Sequence, residues 1–244
     1  MERVSRIWAT IAEQSPGGRL TVGDVCRAAV ETLGVDGGGV TLMVNPMVQE
    51  TVHATDGVAA EVEKLQIALG EGPCRDAFSG AGPALAHDLN LDEYASRWPA
   101  FTPAALAEGA QAVFALPLQM GVIRLGALDL YRTRPGPLSR EQVADALVYA
   151  DTAGMLLLDA AANTGAEAAE LEWHHNDSAV GHAVVHQATG MLVVQLGVDA
   201  ETAFARLRAH AYAAGLPLAQ VARDIVERRL RLELDPPPEA RELP

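Results

Sequence analysis

HQATGMLVVQLGVDAETAFARLRAHA, residues 186–211, reads as one helix, a stop at Gly197, and a second helix that carries Arg206 and Arg208. It stands out in a chain of 244 residues whose formal net charge is −14. Packing explains the alanines of this stretch but not the arginines. Working outward, the first helix spans about Ser178 to Leu196, capped by Asp177. The second starts at Asp199, with Glu201 favouring the positive end of its dipole, and stops at Gly215. A third runs from Leu218 to Leu232 after Pro217. Ala203, Phe204, Leu207 and Ala211 make one apolar stripe, matched by Val221, Ala222, Ile225 and Leu230. Arg206, Arg208 and His210 then fall outside, as do Arg223, Arg228, Arg229 and Arg231. An arginine fork suits phosphates and bases, although surface helices also pair arginines with acids such as Asp224 and Glu227. Gly190 costs about 1 kcal/mol inside a helix relative to alanine, so something is expected to approach closely there.

The rest of the chain sets the bounds. Hydrophobic residues make up 49% and charged residues 20%, a globular balance. Cys26 and Cys74 form neither a disulfide framework nor a zinc spacing, and the N-terminus lacks the pattern of a signal peptide. The apolar run Ala144–Asn163 is broken by Asp145, Asp151 and Asp159, which reads as a buried helix rather than a membrane span. A soluble, cytoplasmic protein is therefore expected, with no membrane contact. The acidic balance disfavours broad, non-specific nucleic-acid binding, which is electrostatic. Between Leu171 and Leu234, however, six arginines face seven acids, so that segment is nearly neutral.

Upstream, a helix is predicted over Arg3–Gln14, and a second opens at Thr21 and Asp24, spaced as a capping box. GVTLMVN and QETVHATD read as strands joined at Asn45-Pro46, Val58–Leu69 as a helix, and PALAHDLN as a short strand. QAVFALPLQ and GVIRLGALDLYR form a last hairpin, before a long helix with Ser139 as its N-cap three residues ahead of Gln142. The fold class is α+β: an N-terminal antiparallel sheet flanked by helices, a long connecting helix and a C-terminal three-helix bundle. The divisions are 1–162, a linker over 163–176, the bundle over 177–234 and a disordered tail over 235–244. Val143, Leu147, Ala150, Gly154, Leu157 and Ala161 recur four and three apart, a heptad seam expected to pair two chains in a homodimer. The alternative is a helix sandwiched inside one domain.

The C-terminal stretch closely resembles the ANTAR domain, a three-helix RNA-binding module of bacterial transcription antiterminators. The resemblance rests on Gln187-Ala188-x-Gly190, Ala203, Leu207-Arg208, Ala211 and Val221-Ala222. It implies a cytoplasmic homodimer that binds paired hairpins in a leader RNA and so disfavours a terminator. It further implies an RNA surface made of Gln187, Ala188, Thr189, Gly190, Arg206, Arg208, Ala211, Arg223 and Arg228. Thr189 stands where many members have lysine; its hydroxyl can bond a phosphate but brings no charge. LGEGPCRDAF (69–78), RWPAF (97–101) and LGALDLY (125–131) resemble GAF domains, over about residues 5–160. That resemblance implies a sensor with a small-molecule ligand whose identity the fold does not give.

Cys74, in GEGPC, is a candidate sensor if a helix start stabilises its thiolate, and otherwise a small buried loop residue. His182 and His186 are four apart, but no carboxylate or cysteine accompanies them, so no metal site and no cofactor are expected. No G-x-S-x-G, phosphate loop or kinase set occurs, and an enzyme is not expected. The expectation is a signal-responsive antiterminator. Its alternative is a dimerisation module that regulates a protein partner without touching RNA.

Overall fold

The computed structural model describes residues 2–45, 48–80, 82–121, 123–163 and 177–232. The turn expected at Asn45-Pro46 lies partly outside these residues, and the linker and tail lie outside them but for Asn163. The chain divides into two units, Met1–Ala179 and Val180–Pro244. No helix among the described residues is long and apolar enough to cross a membrane.

The first unit begins with α1 (Glu2–Glu13) and α2 (Val22–Leu33). At the start of α2 the Thr21 side chain accepts from the Asp24 amide while Asp24 accepts from the Thr21 amide at 2.8 Å, and Gly34 ends the helix left-handed. Next come β1 (Gly37–Asn45), β2 (Val48–Ala54) and α3 (Gly57–Leu69), the last capped by Asp56. Four short elements follow: α4 (Pro73–Ser79), β3 (Ala84–Ala86), α5 (Asp92–Arg97) and α6 (Phe101–Ala107). The hairpin β4 (Ala112–Met120) and β5 (Ile123–Arg132) and the helix α7 (Arg140–Asn163) complete the unit. Ser139 and Gln142 make the reciprocal cap expected before α7.

All strand pairs are antiparallel, in the order β2-β1-β5-β4-β3. The pleat sends Phe114, Leu116, Leu118, Leu128 and Leu130 to one face, where they pack with Ile7, Ile11, Val25, Leu33, Tyr149 and Leu157 of α1, α2 and α7. Val113 and Tyr131 point to the other face, against Val62, Trp98 and Phe101 from α3, α5 and α6. Because helices cover both faces, β4 is buried from Ala112 to Leu116 without interruption.

The seam expected to join two chains is used inside this one. Ala150 and Leu157 belong to the core beneath the sheet, with Val143 and Leu147 packed against it. A Cβ at Gly154 would meet Leu118 and Leu125 at 3.7 Å. The physical reason is that β4 and β5 offer an apolar face that must be covered, and α7 is the helix that covers it. The side chain of Ala161 lies outside the described residues.

The second unit holds α8 (Asp177–Leu196) from Val180 onward, α9 (Ala200–Ala214) and α10 (Leu218–Val226). The third helix therefore ends six residues before Leu232. The carbonyl of Asp224 accepts from the amides of both Arg229 and Leu230, at 2.7 and 3.0 Å, and Arg228 takes a left-handed φ of 61°. That closure replaces the next helical turn.

Gly126 is the tightest approach in the sheet: at φ 153°, an added Cβ would lie 1.9 Å from the Thr41 carbonyl oxygen of β1. Gly126→Ala is expected to destabilise the first unit by about 3 kcal/mol or more, read as a lowered urea midpoint. Gly34→Ala, left-handed but in open space, should cost only about 1–2 kcal/mol.

Candidate functional site

In the second unit the apolar stripes come together as a small core: Ala203, Phe204, Leu207 and Ala211 of α9 with Val221, Ala222 and Ile225 of α10, all buried. Ala188 and Leu192 of α8 are buried too. Three positions of the RNA surface inferred from the resemblance thus lie inside this bundle. Ala188 and Ala211 are core residues. Thr189 is 7% exposed, and its hydroxyl donates to the Val185 carbonyl at 2.8 Å, so the oxygen is held by its own helix rather than offered to a phosphate.

Gln187, Gly190 and Val194 share the exposed face of α8, with Val194 86% exposed. Arg206 and Arg208 are half-buried, and a two-residue offset turns them roughly 200° apart on the helix, so they do not act as a pair. The Arg208 guanidinium lies over the Phe204 ring at 5.0 Å, with Nε and Nη1 shielded from solvent. Arg223 and Arg228 are exposed, whereas Arg229 is paired with Asp224 at 2.7 Å and with Glu227. Tyr212, 67% exposed and four residues after Arg208, was not singled out by the sequence reading. Its signal was an aromatic residue outside the apolar stripe. The side chains of His182 and His186 lie outside the described residues.

The first unit contains a second constellation, on the sheet face beneath α3 and α4. Thr41 of β1, Glu63 and Gln66 of α3, Cys74 of α4 and Asp129 of β5 are all buried. Gln66 donates to Asp129 Oδ2 at 2.8 Å and accepts from the Cys74 amide at 2.7 Å, and Thr41 donates to Glu63. Gly39 leaves room for the acid, since a Cβ there would lie 2.8 Å from Glu63 Oε1. The groups acting on the two carboxyls are each other, Thr41, Gln66 and Cys74, none of them basic. Burial, then the neighbouring Asp129, raises Glu63 well above the usual carboxylate range. Burial likewise raises Asp129 from 3.8 to about 6. Asp129 Oδ1 is enclosed without a hydrogen-bond partner among the described residues, apart from any proton that Glu63 or Cys74 carries. The space beside Glu63 and Asp129, lined by Gly38, Val62, Val113 and Tyr131, has no room for a water molecule.

Of the two readings of Cys74, the same geometry favours the small buried residue. Burial first, then Asp129 and Glu63, push its thiol well above the ordinary value. Cys26 is similarly buried and pushed up to about 12. Around Cys74 the quoted motif does structural duty. Glu71 accepts from the amides of Ala100 and Phe101 at 2.6 and 2.8 Å. Asp76 accepts from Arg97 at 2.7 Å and from the Trp98 indole at 3.1 Å. GEGPCRD and RWPAF are thus two halves of one hydrogen-bonded layer.

Residues 177–226 match the family model of the ANTAR domain, and the chain carries that domain. No curated protein matches the chain. Among solved structures it is similar to the GAF domain of a phosphoenolpyruvate-protein phosphotransferase from Coxiella burnetii, at 16% identity, over 66% of this chain and 94% of that one, with a TM-score of 0.49. It is also similar to the GAF-B domain of DevS from Mycobacterium smegmatis, at 21% identity, over 57% and 91%, with a TM-score of 0.42.

The buried acids give a pH signature. Asp129 titrates at about 6 when folded, against an ordinary 3.8. Between those values the folded chain holds more protons than the unfolded one. The stabilising contribution of the protonated carboxyl is therefore complete below about pH 4 and is lost as pH rises through 6. Asp129→Asn can still accept from Gln66. Its stability relative to the parent chain should be near parity at pH 4 and grow to an advantage on the order of 2 kcal/mol at pH 7, measured by urea unfolding with a chelator present.

Proposed function

We propose that the chain is a non-catalytic regulator that binds hairpins of a leader RNA through its ANTAR domain and so promotes transcription past a terminator. The observation that carries this reading is the match of the ANTAR model to residues 177–226, laid on three helices whose solvent side holds Gln187, Gly190, Tyr212 and Arg223, with Arg228 exposed in the turn that follows. Hairpin loops present splayed bases, for which an exposed tyrosine is a stacking surface and arginines are phosphate or base-edge ligands. The N-terminal unit takes the signal-receiving role in this proposal, on the resemblance of its three quoted stretches to GAF domains. Paired hairpins call for two bundles and hence a homodimer. Because α7 uses its heptad seam inside the chain, the second copy is held elsewhere, for which Met155, 48% exposed on α7, marks an open face. RNA polymerase works in the cytoplasm, and the proposal places the chain there.

Val194, Tyr212 and Leu216 are exposed apolar or aromatic residues in the second unit, and they suit the rival reading, a protein partner. Salt separates the two. With a two-hairpin leader RNA, affinity should fall as salt rises, and Arg223→Ala or Arg228→Ala should each lower the salt slope by about 1. Binding to RNA that ignores salt and both substitutions, or no binding at low salt, would sink the RNA reading. Arg208→Ala is a poorer probe, because it also removes the contact with Phe204.

Gly190 offers a test in which two readouts move in opposite directions. Nothing lies within 4 Å of a Cβ added there, so Gly190→Ala should stabilise the bundle by up to about 1 kcal/mol. If an RNA backbone approaches this face, the same substitution should weaken RNA binding measurably. A variant that is more stable and binds equally well would remove α8 from the interface.

A further inference from the structure

We propose that Glu63, Cys74 and Asp129 form a binding site for a divalent transition-metal ion of the zinc type. One ligand atom from each lies within 4.8 Å of the other two, and all three residues are buried. They come from α3, α4 and β5, at sequence separations of 11 and 55 positions, which is why no ligand spacing is visible in the sequence. This inference concerns the first unit and stands whether or not the second binds RNA.

Several independent observations converge on an ion. Two carboxyls and a thiol lie together in the interior, with no basic group among those that act on the carboxyls, an arrangement that costs heavily unless protons or a cation offset the charge. Asp129 Oδ1 is enclosed there, and among the described residues only a proton carried by Glu63 or Cys74 could reach it. An ion bonded directly to its donors needs no cavity beyond the three ligand atoms themselves. Zinc binds carboxylate oxygen and thiolate sulfur at about 2.0–2.3 Å, so one ion can bridge three atoms that lie this close together. One carboxylate bound through both oxygens supplies the fourth donor.

The surroundings suit a metal shell. Thr41 donates to Glu63 and Gln66 donates to Asp129 Oδ2, the outer hydrogen bonds that orient carboxylate ligands. Gln66 also accepts from the Cys74 amide, so one side chain ties two of the three ligands in place. Choice of metal follows from the donors. A thiolate disfavours magnesium and calcium, and mixed sulfur and oxygen donors suit zinc and, as its spectroscopic substitute, cobalt(II).

The test uses the full-length chain, stripped with a chelator and titrated with zinc chloride and, separately, cobalt(II) chloride. One equivalent per chain is expected, with a sulfur-to-cobalt charge-transfer band in the near ultraviolet. Cys74→Ser should abolish the band while Cys26→Ser keeps it. Glu63→Gln and Asp129→Asn should weaken zinc binding at least about tenfold, with far-ultraviolet circular dichroism confirming that each variant is folded. A parent chain that is folded yet takes up no stoichiometric metal overturns the proposal and leaves the two carboxyls joined by a shared proton. Metal uptake that survives Cys74→Ser unchanged also overturns it, placing the ion elsewhere in the chain. Because the parent chain alone can give the overturning result, misfolding of a variant does not shelter the idea.

Discussion

Strands β4 and β5 are apolar on both faces, and that constraint organises the first unit. A sheet dry on one side can stand against water on the other, but Phe114, Leu116 and Leu118 alternate with Val113 and Ala115, all buried. Helices must therefore close over both faces. On one side α1, α2 and α7 do so with aliphatic side chains and Tyr149. On the other, α3 is joined by the short helices α4, α5 and α6, and the short ones are fastened by hydrogen bonds because each buries little apolar surface. Glu71 and Asp76 do that fastening, by gripping the backbone of Ala100 and Phe101 and the side chains of Arg97 and Trp98.

The price of this second cover is Asp129. Its neighbours in β5, Ala127 and Tyr131, lie on the same face and are buried, so register alone carries the carboxyl into the interior. Glu63 arrives from α3 among Ala59 and Val62, which are core residues. Two acids that no local pattern would place together thus share one dry space. An aliphatic pair would pack there without the charge. Instead Thr41 and Gln66 donate to the two acids, so the cost of burying them is met by hydrogen bonds rather than by packing.

Much of the architecture was legible beforehand, for reasons that can be named. The Thr21–Asp24 and Ser139–Gln142 caps are local chemistry, and local chemistry survives into the fold. The strands of the last hairpin are apolar runs of strand length. What was not legible was the destination of an apolar face. Val143, Leu147 and Ala150 carry the spacing of an interchain seam, yet spacing cannot say whether the partner is another helix or the chain's own sheet. Thr189 shows the same limit at smaller scale: a hydroxyl on a helix can turn outward or bond back to the carbonyl four residues earlier, and here it bonds back to Val185. The 11 and 55 positions separating Glu63, Cys74 and Asp129 are closed by topology alone.

The electrostatics of the two units explain how an acidic chain can be proposed to hold RNA. The formal charge is −14 overall, but the acids of the second unit are partly spent. Asp199 caps α9 by accepting from the Thr202 amide at 2.7 Å, and Asp224 and Glu227 engage Arg229. Arg223 and Arg228 remain exposed on a segment that is nearly neutral, while most of the negative charge lies upstream. On the proposed function, the net negative charge of the chain opposes an RNA at long range, and the exposed arginines attract it only at short range. Binding then depends on geometry, on a face kept open at Gly190 and an aromatic ring at Tyr212, more than on steering. Weak long-range attraction costs association rate, but it also suppresses non-specific binding, the balance that the proposed recognition of one pair of hairpins among many transcripts requires.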